Sequence, residues 1–419
     1  MLRREKGSDS ITYHCNCAPD QGRVVLFYIY FNLTNVIEFH EQQQTLLKDL
    51  NLLGKLKISQ EGLNITLAGS QLNVNSYISW ICNYLVDNKI FPVAPDLKLL
   101  LTSIEEKEVV DESEINKNSL NILDCLVEND KYKLSDDIRF WTPLKKAFFK
   151  PSDGCEHVFD KLSIKIVDEI CPFQVENKDF KLDLEWKNDL EKERIERIKL
   201  KPREFHFLIK EKKDDGLILD VRNYYESEIG KFDEALCPPI RNFKALPQYL
   251  KSIKFKPNNK HLFTYCTGGI RCEKASAYIK DYLNETSSTN EIEKLYMLEG
   301  GIHNYLEWFQ KSELPKEECL FQGKNYVFDA RQSMGLDDTN LISKCGHCDQ
   351  LTANLFKCKS TCCHKIIIRC EVACFEQLPF CCGNCNNIDQ ELETRSKGGN
   401  SKKRALCQCE LDRIQSFKL

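Results

Sequence analysis

Residues 266–272 read Cys-Thr-Gly-Gly-Ile-Arg-Cys and place two thiols, two glycines and an arginine in one short segment. An apolar run over 261–265 precedes this segment and a helix-like stretch over 273–283 follows it, which predicts a strand, a loop and a helix. Backbone N–H groups of such a loop, together with the positive end of the following helix, stabilise an anion. Because the same field lowers the pKa of a thiol, we predict that Cys266 is a nucleophilic thiolate.

The size of this loop restricts what it can bind. Four residues separate Cys266 from Arg271, and the resulting small ring of amides suits a persulfide sulfur, whereas a phosphate requires a longer loop. Arg271 is expected either to support the loop by hydrogen-bonding its carbonyl groups or to contact the anion directly. Cys266 and Arg271 are the predicted catalytic residues, and the remaining loop residues are Thr267, Gly268, Gly269, Ile270 and Cys272.

Each of the two cysteines of the loop has an alternative interpretation. Cys266 could be an ordinary buried cysteine, since free cysteine is often interior, but the glycines, the arginine and the flanking elements occur together and favour function. Cys272 could resolve a persulfide on Cys266 by forming a disulfide. We expect its side chain to point into the helix side, which favours a structural role.

Strands alternate with helices from residue 204 onward, which predicts a parallel sheet with helices on both faces. Ligands of such sheets bind beyond the carboxyl ends of the strands. Asp220 lies near the end of one predicted strand and Glu299 directly follows another, so both are expected at the same edge as Cys266. Asp220 is expected either to pair with Arg222 and brace the loop or to cap a helix, and Glu299 is expected to line the pocket.

The first part of the chain has a different pattern, in the order strand, helix, strand, strand, helix, strand. The first five elements are predicted at 23–31, 35–53, 55–59, 63–68 and 72–85, and the sixth at either 97–101 or 162–167. This order is that of a split βαβ, ferredoxin-like α+β domain. A stretch rich in charged and polar residues over 103–137 predicts a solvated insertion, and 178–203 is predicted to be a charged surface helix that acts as a linker.

Twelve of the 22 cysteines lie after residue 344. Zinc requires four ligands near a tetrahedron, and a Cys-x-x-Cys turn presents two thiolates to one ion. A segment this short buries little core, so we expect metal to supply its folding energy, with disulfides as the alternative. Eight cysteines are enough for two ions, with His347 and His364 in reserve and the pairing left open. The predicted ligands are Cys345, Cys348, Cys358, Cys363, Cys370, Cys374, Cys382 and Cys385.

Length and charge set the general class. A chain of 419 residues fits two or three domains, and a net charge of -4 provides no global basic field for nucleic acid. The basic, glycine-containing stretch 395–404 could contact RNA phosphates. The N-terminus lacks the pattern of a secretory signal and there is no run of about 18 apolar residues, so we expect a cytoplasmic protein without a membrane span.

Four segments carry a resemblance to a known family. Asp-Val-Arg-Asn at 220–223, Cys-Thr-Gly-Gly-Ile-Arg-Cys-Glu-Lys at 266–274, Leu-Glu-Gly-Gly-Ile at 298–302 and Val-Phe-Asp-Ala-Arg at 327–331 resemble the signature segments of rhodanese-domain proteins of the TrhO (YceA) type. The Cys-rich tail is similar to that of eukaryotic members. The resemblance implies an acylphosphatase-like domain, a rhodanese domain with a parallel sheet, and a small zinc-binding region. The expected boundaries are 20–175 with a polar insertion near 103–158, a linker over 176–203, the rhodanese domain over 204–315, the Cys-rich region over 316–390 and a basic flexible tail over 391–419.

The resemblance also implies an activity. Bacterial members convert the wobble uridine of tRNA to 5-hydroxyuridine with molecular oxygen, which places Cys266 in the catalytic position, makes tRNA a partner and makes oxygen a co-substrate. No cofactor motif is visible that would explain this reaction. One alternative is sulfur transfer from a donor such as thiosulfate through a persulfide on Cys266. Another is a zinc-stabilised RNA- or protein-binding module with an inert rhodanese domain, which the intact Cys266 and Arg271 argue against.

Overall fold

A computed structural model describes residues 22–88, 141, 143–173, 175, 195–255, 257–286, 291–360, 363, 365–387 and 407–416. The chain divides into two compact units. One unit comprises Cys15–Ile170, and the other comprises Cys171–Leu419 together with Met1–His14. The predicted strand at 97–101 and the basic stretch at 395–404 lie outside the described residues.

The first unit contains one sheet with two long helices. Its strands have the order β4-β1-β3-β2-β5, in which β1 and β2 pair antiparallel with β3 and β5 pairs parallel with β2. Apolar side chains from the sheet and from both long helices form one core. The elements are β1 (Gly22–Tyr30), α1 (Val36–Asp49), β2 (Leu53–Ser59), β3 (Gly62–Ser70), α2 (Gln71–Asp87), α3 (Pro143–Phe149), β4 (Ser152–Asp153) and β5 (Leu162–Ile166).

The strand arrangement confirms the predicted ferredoxin-like order but corrects its last strand. The strand beside β1 is the two-residue β4, whereas the strand predicted at 162–167 forms β5 at the opposite edge. The predicted polar insertion at 103–158 is also too wide. Trp141 and Phe149 are only 5% and 1% exposed and belong to the core, where the Phe149 ring lies 4.9 Å from that of Phe27. The composition of the insertion obscured this short apolar segment because polar residues surround it.

The second unit begins with a four-stranded parallel sheet of order β6-β10-β9-β7. Successive residues of each central strand face different cores. Leu262 and Leu295 pack in one core, whereas Phe263 and Tyr296 pack in the other, so helices cover both faces. This confirms the predicted α/β class. The elements are β6 (Glu196–Leu200), α4 (Pro202–Glu211), β7 (Gly216–Asp220), α5 (Tyr224–Ile229), β8 (Gly230–Phe232), α6 (Leu246–Ser252), β9 (His261–Tyr265), α7 (Ile270–Thr286), β10 (Lys294–Leu298) and α8 (Gly301–Lys311).

The predicted linker helix over 178–203 is wrong in its last part. Residues Glu196–Leu200 form the edge strand β6, which pairs in register with β10. Ile195, Arg197 and Leu200 are buried, whereas Glu196 is half-buried and Lys199 is exposed. An edge strand tolerates this density of charge because one of its sides is open to solvent. The charge of the segment therefore favoured a linker where the structure has a strand.

Short elements characterise the rest of the second unit. β11 pairs with β8, β12 with β13, and β14 with β15. The tail predicted as flexible over 391–419 contains a helix over 408–416, which corrects that prediction in part. None of the helices in the described part of the chain is long and apolar enough to span a membrane. The elements are β11 (Phe321–Gly323), β12 (Asn325–Tyr326), β13 (Ser333–Met334), β14 (Leu355–Lys357), β15 (Ile366–Ile368), α9 (Val372–Gln377) and α10 (Gln408–Ser416).

Candidate active site

Cys266 directly follows strand β9 and is fully buried at the carboxyl edge of the parallel sheet. Its Sγ accepts a hydrogen bond of 3.1 Å from the backbone N–H of Gly269. Two further hydrogen bonds attach the loop to the first turn of α8. The N–H groups of Ile302 and His303 donate to the carbonyl oxygens of Cys266 and Thr267 over 2.9 and 3.1 Å. The loop is thus held both by its own amides around the sulfur and by hydrogen bonds to α8.

Gly301 allows this close approach of α8 to the loop. Its φ is +69°, and a Cβ at this position would lie 2.5 Å from the carbonyl oxygen of Cys266 and 2.7 Å from the amide nitrogen of Gly268. Both contacts are with backbone, which cannot move aside cheaply. From this turn, Ile302 and His303 hydrogen-bond to the loop, and Gly301 packs against its backbone. Glu299 is half-buried and its N–H donates to the carbonyl of Leu200, so its place in the pocket remains a prediction.

The surroundings of Cys266 favour the thiolate. Burial alone would raise the pKa of its thiol, but the hydrogen bond from Cys272, the positive charge of Arg271 and nearby backbone N–H groups outweigh it. Together they lower the pKa of Cys266 from 9.0 to about 6. A thiol with this pKa is mostly ionised at neutral pH and is therefore a ready nucleophile.

Cys272 is fully buried in the first turn of α7 and belongs to the same apolar core as Cys266. Its thiol lies near enough to Cys266 to favour the thiolate there. Burial, followed by the charged sulfur of Cys266, raises the pKa of Cys272 well above that of an ordinary thiol. The pair therefore combines a thiolate with a neutral thiol. The first turn of α7 begins immediately after the loop, where the N–H of Cys272 donates to the carbonyl of Gly269.

Arg271 is held by a carboxylate that the sequence reasoning missed. Its two terminal nitrogens donate to the two oxygens of Glu226 over 2.7 Å each, and one of them also donates to the hydroxyl of Thr267 over 2.9 Å. Thr267 in turn donates to Glu226 over 2.9 Å. A bidentate pair of this kind fixes the plane of the guanidinium. Arg271 is thus held by a carboxylate of α5 and also bonds to the loop through the hydroxyl of Thr267.

Glu226 also caps its own helix. Its side chain accepts a hydrogen bond of 3.2 Å from the N–H of Asn223, which is the N-cap of α5 in a capping box. The spacing Asn-x-x-Glu in the sequence predicts such a box. It could have identified Glu226 as a helix-start residue, but the pairing with Arg271 spans 45 positions of the chain and has no local pattern.

Asp220 and Arg222 form a fully buried ion pair with an N–O distance of 2.7 Å. The predicted pair is therefore present, whereas the alternative of a helix cap at Asp220 is wrong, since Asn223 occupies that place. Asp220 also accepts a hydrogen bond of 2.8 Å from the hydroxyl of Tyr265, the residue just before Cys266. Arg222 donates to the carbonyl of Gly230 over 2.6 Å. The pair thereby braces the strand end that carries the loop.

A row of aromatic side chains lies beside Arg271. The Arg271 guanidinium is 5.8 Å from the ring centre of Phe328, which is 48% exposed. The rings of Phe328 and Tyr326 are 4.9 Å apart, and those of Tyr326 and Tyr225 are 5.2 Å apart. Tyr225 precedes Glu226 in α5. The row of aromatic rings therefore runs from α5, whose Glu226 holds Arg271, to the exposed ring of Phe328.

In the part of the chain that the structure describes, cysteines after residue 344 gather in two places that can hold metal ions. The first cluster contains Cys345, Cys348, Cys370 and Cys374, whose sulfur atoms all lie within 4.8 Å of one another. All four belong to the predicted ligand set. His347 is exposed and is not among the grouped ligands, and His364 lies outside the described residues.

The second cluster differs from the prediction in its membership. Cys358, Cys363 and Cys385 group with Cys381, which the prediction left out. The predicted ligand Cys382 groups instead with Cys381, Cys385 and Cys407, again within 4.8 Å. Sequence spacing could not show that Cys407, 22 positions beyond Cys385, returns to the same place.

A buried thiolate in a short amide loop at the carboxyl edge of a parallel sheet defines a rhodanese domain. Three family models match the chain: a UPF0176 acylphosphatase-like domain over 22–92, a rhodanese-like domain over 202–307 and a rhodanese C-terminal domain over 322–386.

Comparisons over most of the chain lead to one family. A tRNA uridine(34) hydroxylase of the Aster yellows witches'-broom phytoplasma is 30% identical, over 74% of this chain and 73% of that protein. Another, from Corynebacterium kroppenstedtii, is 27% identical over 87% of this chain and 97% of that protein. Rhodanese-like domain-containing protein 6 of Arabidopsis thaliana is 27% identical over 93% of this chain, which spans only 59% of that protein. The chain belongs to the tRNA uridine(34) hydroxylase (TrhO) family of rhodanese-domain proteins.

Proposed function

We propose that this chain hydroxylates the wobble uridine of tRNA at C5, with Cys266 as the catalytic thiolate. The main support is the Cys266 loop. Its buried sulfur accepts a hydrogen bond from the Gly269 N–H, and the pKa of the thiol is lowered to about 6. The chain that carries this loop belongs to the tRNA uridine(34) hydroxylase family. Relatives named as tRNA uridine(34) hydroxylases support the substrate.

The electron balance of this reaction gives Cys272 a role. Uridine, O₂, two electrons and two protons yield 5-hydroxyuridine and water. Two thiols that join as a disulfide release two electrons and two protons, so the adjacent Cys266 and Cys272 can supply them, and a thiol reductant restores the pair. In this proposal O₂ is the oxidant and a thiol compound is the final reductant.

The aromatic row supports an RNA base as the substrate. Unpaired bases of RNA stack on aromatic side chains, and a wobble base is exposed in the anticodon loop. Phe328 offers a half-exposed ring next to Arg271. We propose that the uridine ring stacks on Phe328, which brings its C5 edge toward the Cys266 loop.

We further propose that zinc is the metal of the first cysteine cluster, with a structural role. Four thiolates without an open position for substrate are typical of structural zinc. Neighbouring sulfur atoms, such as those of Cys348 and Cys370 at 3.5 Å and of Cys370 and Cys374 at 3.3 Å, are close to the edge of about 3.8 Å that Zn–S bonds of about 2.3 Å give a tetrahedron.

The hydroxylase proposal is tested with the purified chain, unmodified tRNA, a thiol reductant and ¹⁸O₂. Mass spectrometry of the digested tRNA is expected to show 5-hydroxyuridine carrying one ¹⁸O at position 34. Cys266→Ser should abolish the product, and Cys272→Ser, which keeps a hydroxyl donor beside Cys266, should lower it at least tenfold. Label arriving from H₂¹⁸O instead of O₂ would contradict the proposal.

Sulfur transfer is a second candidate, favoured by the small ring of amides around Cys266. The thiolate would attack the outer sulfur of thiosulfate, break its S–S bond and release sulfite, leaving a persulfide on Cys266. Incubation with thiosulfate should then raise the intact mass by one sulfur in the wild type and in Cys272→Ser, but not in Cys266→Ser. A chain that makes 5-hydroxyuridine and gains no sulfur would exclude this candidate.

A further inference from the structure

A cleft of about 630 Å³ lies in the second unit between strand β15 and the second cysteine cluster. Its walls come from β15, from residues 377–383, from helix α5 through Glu228, and from Lys344 and Gly346 on either side of Cys345. Cys266 and Arg271 are not among the residues that line it. The cleft is therefore a candidate binding site separate from the Cys266 loop.

Positive side chains outnumber negative ones in this cleft. Lys344, Lys365 and Arg369 line it, and Glu228 is the only carboxylate among the described residues of its lining. Lys344 is exposed and Lys365 is half-buried, and neither forms an ion pair with another described residue. The lining thus sets three positive charges against one negative charge, which favours an anionic ligand.

Arg369 gives the cleft a fixed cationic group, since the residue is only 5% exposed. Its Nε donates to the carbonyl of Leu378 over 3.1 Å, and one terminal nitrogen donates to the carbonyl of Ile368 over 2.7 Å. Both partners are neutral, and the second terminal nitrogen has no hydrogen-bond partner among the described residues. Because a buried charge without a counter-ion is costly, an anion bound in the cleft would stabilise Arg369.

Apolar side chains beside these cations favour an RNA strand over a free anion. Leu378 is 42% exposed and Phe380 is half-buried, and both line the cleft. Surfaces that bind single-stranded RNA combine positive charge along the phosphates with aromatic side chains against the bases. The lining therefore suits a nucleotide within a strand, with its phosphate on the cations.

Helix α5 places this cleft close to the Cys266 loop. The hydroxyl of Tyr224, at the start of α5, donates to the carbonyl of Ile366 over 3.0 Å, and the Nζ of Lys365 lies 5.6 Å from the centre of the Tyr224 ring. Glu226 of the same helix holds Arg271. Because a helix of six residues is only about 9 Å long, one strand of RNA can reach both the loop and the cleft.

We propose that this cleft binds a backbone phosphate of the tRNA substrate through Arg369, Lys344 and Lys365. The inference rests on the proposed hydroxylation of tRNA for the identity of the strand. Contacts with phosphate fix the position and register of a nucleic acid without reading its sequence. The cleft therefore positions the tRNA, whereas the Cys266 loop and Phe328 act on its base.

The salt dependence of tRNA binding tests the phosphate contact. Lys344→Gln and Lys365→Gln should each lower the slope of log Kd against log salt concentration by about 1, and the double variant should lower it by about 2. Lys231→Gln is the matched control, because Lys231 is an exposed lysine of the same unit that does not line the cleft, and its slope should equal that of the wild type. Zinc content and chemical unfolding of each variant show whether it is folded.

The outcomes separate this inference from the proposed hydroxylation. A wild-type slope in the double variant would overturn the cleft as a phosphate site and leave the hydroxylation standing. Lowered slopes in a chain that makes no 5-hydroxyuridine would overturn only the hydroxylation. A wild-type chain that does not bind tRNA would overturn both.

Amine acylation of the unsubstituted chain provides a test that needs no variant. Bound tRNA should slow the acylation of Lys344 and Lys365 but not that of Lys231, as measured by mass spectrometry of the peptides. Inorganic phosphate at the same phosphate concentration should protect none of the three, and equal protection by it would assign the cleft to a free anion instead. Lysines that tRNA leaves unprotected, and whose substitution releases zinc, would balance the charge of the cysteine clusters, which would also overturn the proposal.

Discussion

The carboxylate of Glu226 accepts a hydrogen bond from each terminal nitrogen of Arg271, both 2.7 Å long, while the two side chains are almost completely excluded from solvent. Arg271 in turn contributes the positive charge that favours the thiolate of Cys266. Glu226 is therefore a positioning residue, which acts on the sulfur through the arginine.

Removing the Glu226 charge is expected to destabilise the domain. In Glu226→Gln the buried Arg271 loses its counter-ion, and breaking a buried pair from one side costs about 3–5 kcal/mol. Chemical unfolding should show this loss. The double variant Glu226→Leu/Arg271→Met removes both charges and should recover most of the stability without recovering hydroxylation. A Glu226→Gln protein as stable as the wild type would contradict the assigned role of the pair.

The activity should follow the ionisation of Cys266. Since its pKa is lowered to about 6, the thiolate fraction is small below that pH, reaches one half near pH 6 and is nearly complete above pH 7. The acidic limb of the pH–rate profile should have this midpoint. Cys272→Ala removes the largest of the stabilising contributions and should move the midpoint to higher pH. The pH dependence of Cys266 alkylation, followed on the peptide that contains Cys266, measures this midpoint directly. An unchanged midpoint in Cys272→Ala would refute the contribution of Cys272 to the lowered pKa.

Phe328 should contribute to the binding of tRNA more than to the chemical step. Loss of one base-stacking ring costs about 1–3 kcal/mol, so Phe328→Ala should raise the KM for tRNA by roughly 5- to 150-fold. Phe207 is the matched control because it is 44% exposed and also lies next to an arginine, with Arg203 at 6.0 Å from its ring centre. Equal effects of Phe207→Ala and Phe328→Ala would argue against a stacking site.

Gly301→Ala should disturb the loop without touching its sulfur. The added Cβ would lie 2.5 Å from the carbonyl oxygen of Cys266, and the alanine would have to keep a φ of +69°. We expect a loss of hydroxylation of at least tenfold and a lower unfolding temperature. Gly383→Ala is the control, since no atom lies within 4 Å of a Cβ there. A Gly301→Ala enzyme with wild-type activity would show that the turn tolerates a side chain.

Local patterns predicted the loop and its supports well where the partners are near in sequence. Asp220 and Arg222 are two positions apart, and the strand, loop and helix around Cys266 are continuous, so periodicity and residue type were sufficient. The pairing of Glu226 with Arg271 was missed because it depends on how α5 packs against the loop. No short-range pattern encodes that contact.

The cysteine clusters illustrate the same limit for metal ligands. Cys345 and Cys348 form a local pair whose spacing predicts a metal site. Which of the adjacent Cys381 and Cys382 joins which ligand group depends instead on the direction of each side chain. Cys407 was omitted because a long stretch of chain separates it from the other ligands. The fold of the chain, and not sequence spacing, places Cys407 beside the other ligands.

Strand β6 has a consequence for how the domain can be isolated. The matched rhodanese-like region begins at residue 202, whereas β6 ends at Leu200 and pairs with β10 along Lys294–Leu298. A fragment cut at that boundary would leave the backbone groups of β10 open along one side. Such an uncovered strand recruits strands from other molecules, so the fragment would tend to aggregate while one begun before Ile195 would stay dispersed.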